Sequence, residues 1–128
     1  FGDPARNPYA PHNHTPVNVI YTGTHDNNTS LGWFEEDASS AEIANLSRYL
    51  GREVNRRTAA GEMVRMAMSS VAETAVVPMQ DHLELGASCR INIPSTPTGN
   101  WAWRMMPGQA DERLASCLRE LTELYGRA

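Results

Sequence analysis

The chain reads as an α/β protein with parallel strands, and three observations predict it. Two short apolar runs rich in β-branched residues, VNVIYT at 17–22 and AVVPM at 75–79, are each followed by segments of helical periodicity. Strands that alternate with helices belong to parallel sheets, whose functional residues gather at the C-terminal ends of the strands. The third observation is length: a closed eight-stranded barrel of this type needs ~250 residues, so the 128 residues here amount to about half of one.

The elements follow in order. FGDPARNPYAPHNHTP opens without Met and carries four prolines in sixteen residues, which predicts a loop over 1–16 whose first half lies upstream. With its start upstream and about half a barrel's length, the chain is expected to be a piece of a larger barrel domain. A strand is predicted over 17–22, ending before Gly23, and a helix over about 29–36 carrying Leu31, Trp33 and Phe34. The next helix, 40–50, is bracketed by its own signals: Ser39 with Glu42 three residues on forms a capping box, and Gly51 stops it. Met63, Ala67, Met68 and Val71 set a longer helix over 58–73, followed by a buried strand over 75–78 that ends at Pro78. Residues 85–100 form a Pro/Gly/Ser/Asn-rich loop, long enough to suggest a functional or interface role. WAWR is expected to be a brief extended piece, and Leu114, Leu118, Leu121 and Tyr125 stripe a last helix over 111–125.

Composition narrows the function. Fifteen acidic against eleven basic residues give a net charge of −4 with no long run of either sign, which disfavours nucleic acid as a partner. No apolar segment is long enough to suggest a membrane span, and Cys89 and Cys117 are isolated thiols, so a reduced cytoplasmic setting is expected. Every basic residue is Arg and none is Lys, which excludes lysine Schiff-base chemistry.

His25 and Asp26, just past the first strand, are the sharpest candidate site, because parallel α/β folds draw catalytic side chains from that position. The competing reading is a turn in which Asn27 or Asn28 caps the next helix. His12, His14 and His25 lack the tight spacing and the partner Cys or carboxylate of a zinc site, so no metal is expected. Glu35, Glu36 and Asp37 read as a solvated helix end, and Asp81 as either a helix cap or a residue at the top of the barrel. Trp33, Trp101 and Trp103 could stack on sugar faces but read first as core or loop anchors.

Four separated blocks in order, NPYAPHN, VIYTGTHDNNTSLGWF, VVPMQDHLELGASCRINIPSTPTGNWAWR and LTELYGR, together resemble the C-terminal part of the 4-α-glucanotransferases, the amylomaltase or disproportionating-enzyme family. The resemblance implies an α-amylase-related (β/α)8 barrel, helix-rich as an isolated fragment, with no cofactor. It implies an enzyme that cuts an α-1,4-glucan or maltooligosaccharide and transfers the piece to another glucan. The mechanism would be retaining, with one carboxylate as nucleophile and another as acid/base. By the same resemblance Asp26 is a third, transition-state-stabilising carboxylate, His25 donates to the same sugar, and Asp3 and Asn92 bind substrate hydroxyls.

The nucleophile and acid/base motifs of that family have no match here, so the chain alone is expected to be inactive. Unpaired strand edges are expected to favour homodimers of the fragment by pairing or swapping. The alternative function is a non-catalytic glucan-binding or interaction module that retains only the barrel-top loops.

Overall fold

In the computed structural model, which describes residues 3–127, two short strands form a parallel pair flanked by helices. Residues 1 and 2 of the opening loop lie outside the described residues. Strand β1 (Val19–Tyr21) pairs with β2 (Thr74–Val76) in the register Val19 to Thr74, Ile20 to Ala75 and Tyr21 to Val76. Both are shorter than the apolar runs suggest, and β2 is not the buried strand expected, since Thr74 and Val76 at its two ends are exposed. At β1, the Asn18 side chain accepts hydrogen bonds from the Thr15 N–H at 2.7 Å and hydroxyl at 2.8 Å, so residues 15–18 close a turn before pairing begins. At β2, Pro78 has no N–H to give a neighbour and instead precedes a short helix, α4 (Met79–His82), that apolar periodicity did not reveal.

Helix α1 (Ser30–Gly32) runs directly into a wider π-turn, Trp33–Asp37, closed by the Ala38 N–H on the Trp33 carbonyl at 2.8 Å. Its cap is Thr29, whose hydroxyl accepts from the Gly32 N–H at 3.0 Å, rather than Asn27 or Asn28. Helix α2 (Ser40–Leu50) carries the reciprocal Ser39 and Glu42 capping box and ends at Gly51 with φ of 70°. An L-residue other than glycine adopts that left-handed conformation only at a cost, which is why the stop is glycine.

Helix α3 (Ala59–Met68) ends five residues short of the predicted 73. Ser69 hydrogen-bonds back to the Met66 carbonyl, and the Arg127 guanidinium collects the carbonyls of Met68 and Ser70 at 2.7 and 2.6 Å and those of Ala72 and Glu73. The chain past Met68 thus finds side-chain partners instead of continuing the helix. Helix α5 (Glu112–Leu124), capped by Asp111 on the Leu114 N–H at 2.8 Å, lies along α3 with its Leu114, Leu118 and Leu121 stripe half-buried.

Apolar burial falls into two clusters. Leu46, Val54, Ala59 and Met63 join α2 to α3, with Trp33 and Phe34 packed against them. Ile20, Ala67 and Ala72 tie β1 to the end of α3. No helix among the described residues is long and apolar enough to cross a membrane.

Candidate active site

The site begins where β1 ends. Asn27 turns the chain: its side-chain oxygen accepts from the Thr24 N–H at 2.8 Å and hydroxyl at 2.9 Å, while its own N–H reaches the Thr24 carbonyl at 3.1 Å. This Asx-type turn satisfies the local backbone without using the Asp26 carboxylate. His25 and Asp26 are therefore projected outward together, their side chains 53% and 51% exposed.

Each Asp26 oxygen has its own neighbour. Oδ1 accepts from Asn92 Nδ2 at 2.6 Å, and Oδ2 lies 3.3 Å from His25 Nε2. The His25 ring in turn sits against Trp101, with ring centroids 5.1 Å apart. Asn92 and Trp101 both come from one loop far along the chain, held by its own bonds: the Trp101 N–H to the Ile91 carbonyl at 2.7 Å, and the Ile93 N–H to Asn100 Oδ1 at 2.9 Å. Trp101 takes a positive φ of 61° in doing so. A cavity of about 600 Å³ opens beside His25, lined by Trp101, Trp103 and Arg104 on one side and by Val76, Val77 and Pro78 at the end of β2 on the other.

Beneath the turn lies a carboxylate that sequence reasoning left open. Asp81 is buried at the start of α4 and accepts from the Ser30 N–H at 2.7 Å, the Ser30 hydroxyl at 2.9 Å and the Thr22 hydroxyl at 2.6 Å. It joins the end of β1, the first turn of α1 and α4, and so fixes the base from which His25 and Asp26 project. Helix α1 also passes close to the 87–89 turn: a Cβ built on Gly32 would lie 2.2 Å from Asn28 Oδ1 and 2.9 Å from the Ala87 Cα. Beside Asp81, burial pushes the His82 imidazole below its ordinary value, partly opposed by the Asp81 charge.

The remaining candidates fall elsewhere. Asp3 accepts from the Ala5 N–H at 3.2 Å within its own loop and lines neither the cavity beside His25 nor a second one that Asp26 lines. His12 pairs with the Tyr49 hydroxyl and His14 with that of Ser70, each at 2.8 Å. Glu35 forms an ion pair with Arg56, and Asp37 accepts from Asn28 at 3.1 Å. Trp33 packs on the α2 and α3 cluster as an anchor, whereas Trp101, 58% exposed, faces the site. The WAWR segment is irregular backbone rather than strand. Trp101 has a positive φ and its ring lies against His25, a placement of which alternation of residue types carries no sign.

The family model described as 4-alpha-glucanotransferase matches residues 1–110. The 4-alpha-glucanotransferase of Synechocystis sp. is 44% identical over 99% of this chain and 25% of its own length, and that of Thermus thermophilus 42% identical over 99% and 26%. The chloroplastic/amyloplastic 4-alpha-glucanotransferase of Solanum tuberosum is 42% identical over 99% of this chain and 22% of its own. An amylomaltase from Streptococcus agalactiae, solved in complex with acarbose, superposes with a TM-score of 0.91 at 34% identity, covering 100% of this chain and 26% of that one. The chain thus spans about a quarter of the length of the curated relatives it matches. A family-model match over most of the chain, with these relatives in agreement along nearly all of it, establishes that the chain belongs to the 4-alpha-glucanotransferase family, glycoside hydrolase family 77.

Proposed function

We propose that this chain is the C-terminal part of a (β/α)8 barrel enzyme that transfers α-1,4-glucan segments between maltooligosaccharides by retaining double displacement. The observation that carries the reading is Asp26, a half-exposed carboxylate at the C-terminal end of a parallel strand, steadied on one oxygen by Asn92 and flanked on the other by His25. A strand end is where barrel enzymes assemble catalytic groups. An oxocarbenium-like transition state differs from the bound sugar in ring shape and charge. A carboxylate accepting hydrogen bonds from ring hydroxyls there can therefore favour the transition state over the ground state.

In this reading Asp26 stabilises the transition state, His25 donates to a hydroxyl of the same sugar, and Asn92 orients Asp26 and binds a substrate hydroxyl. Asp3 has the weakest support, since its carboxylate is turned into its own loop. Nucleophile and acid/base come from other strands of the barrel. Glu35 engaged with Arg56, and Asp81 buried among hydroxyl and amide donors, support this, because neither is free to act on a sugar. The acarbose complex of the Streptococcus agalactiae amylomaltase supports an oligosaccharide substrate. The free thiols Cys89 and Cys117 support a reduced, cytoplasmic setting. In isolation the chain would pair with a second copy through the outer edges of β1 and β2, which light scattering would detect as a dimer.

The test is glucose release from maltotriose by this chain alone, and by the Thermus thermophilus relative carrying this chain in place of its matching quarter. The chain alone is expected to be silent and the chimera active. Activity of the isolated chain that Asp26→Asn abolishes would mean it holds a complete site. A folded but silent chimera beside an active parent would favour a glucan-binding module instead.

A further inference from the structure

Resting on that reading of Asp26, we infer that Arg90 is a positioning residue for the reaction: its guanidinium joins the strand-end turn to the 90–101 loop and so sets the direction of the Asp26 carboxylate. The two segments are 64 residues apart in sequence. Arg90 Nη2 donates to the main-chain carbonyl of Asp26 at 2.6 Å, and its Nε donates to the main-chain carbonyl of Asn92 at 2.8 Å. One planar group therefore grips the backbones of the two residues whose side chains meet at Asp26 Oδ1.

The geometry divides the work. Thr24 and Asn27 fix the shape of the turn, and the bonds of Asn100 and Trp101 fix the shape of the loop, but neither set fixes one against the other. The Asn92 to Asp26 hydrogen bond spans that junction between exposed or half-exposed groups, where competition with water weakens it. Arg90 is half-buried; its Nε holds the Asn92 carbonyl of its own loop while its Nη2 reaches across to the Asp26 carbonyl, and the rigid fork orders both backbones with little loss of freedom for each bond formed. Because it binds the Asp26 carbonyl and not the carboxylate, Arg90 occupies neither oxygen offered to a sugar and acts on where that carboxylate points. Small misplacements of a group that acts in the transition state cost rate more than binding.

The test uses the full-length chimera and maltotriose, comparing Arg90→Ala, Arg90→Lys, Asp26→Asn and the Arg90→Ala/Asp26→Asn double variant. Arg90→Ala is expected to lower kcat by about 10- to 100-fold while KM moves less than about threefold. Arg90→Lys, with one point-like donor group in place of the fork, should fall between Arg90→Ala and the parent. The double variant should be no slower than Asp26→Asn alone to within about threefold, because Arg90 acts through Asp26. Independent, multiplicative losses in the double variant would overturn the inference, as would a thermal shift in Arg90→Ala with kcat per folded molecule unchanged. Those failures leave the loss of rate in Asp26→Asn standing, whereas a fully active Asp26→Asn would overturn the reading on which the inference rests.

Discussion

The α2 and α3 side of the molecule and the strand-end side are held by different forces. Between α2 and α3, Leu46, Val54, Ala59 and Met63 are buried against one another with Trp33 and Phe34 over them, and non-directional apolar burial dominates. At the end of β1, His25, Asp26, Asn92 and Trp101 are exposed or half-buried, and directional hydrogen bonds from distant segments set their positions. The difference teaches where stability and the proposed chemistry reside. Packing gives the chain its fold, while the candidate site is a set of polar groups whose alignment rests on a few bonds, with the buried Asp81 as the link between the two.

That division can be broken one side at a time. The largest expected effect on stability is Leu46→Ala: this side chain has no exposed surface, and its removal should cost roughly 3 to 5 kcal/mol in urea unfolding. In the chimera it should leave kcat per folded molecule unchanged. Asp81→Ala should cost about 3 kcal/mol by stranding the Ser30 amide and two hydroxyls. Unlike Leu46→Ala it should also lower kcat, since it releases the base of the strand-end turn. A loss of stability with kcat intact would separate Asp81 from the site.

Gly32→Ala comes next, at roughly 1 to 3 kcal/mol, because the Asn28 side chain and the 87–89 turn must both shift to admit a methyl group. The smallest expected effect is acid sensitivity from His82. Its folded pKa is depressed from an ordinary value of 6.5, so below that pH the unfolded chain binds the proton more readily than the folded one. Stability should be fully present above about pH 6.5 and decline as pH falls through the depressed folded value, and His82→Gln should flatten that decline in urea midpoints.

The features legible in the sequence were local ones. The Ser39 and Glu42 capping box and the Gly51 stop lie within one helix, and the residues that make them are the residues that announce them. The parallel strand pair followed from apolar runs separated by helices, and the placement of His25 and Asp26 just beyond β1 from their position after the first run. What was left open or missed depends on partners far apart. Asp81 meets Ser30 and Thr22 across 51 and 59 residues, and Arg90 meets Asp26 across 64. No periodicity encodes such pairings. Helix α3 likewise ends where Arg127, 59 residues beyond Met68, collects its free carbonyls, an event that the apolar pattern through Val71 does not register. Trp101 was assigned to structure because its residue type is more often buried, and its place against His25, on a backbone of positive φ, has no signature in residue type.

The most direct measurement is Asp26→Asn in the full-length chimera, reading kcat on maltotriose and Tm on the same preparation. The account predicts a loss of about 100- to 1,000-fold in kcat, the size expected when a group that stabilises transition-state charge is removed. It predicts a Tm within about 2 °C of the parent, since an exposed residue away from the packed clusters contributes little to stability. A variant that keeps its rate, or one that loses rate only by unfolding, would contradict it.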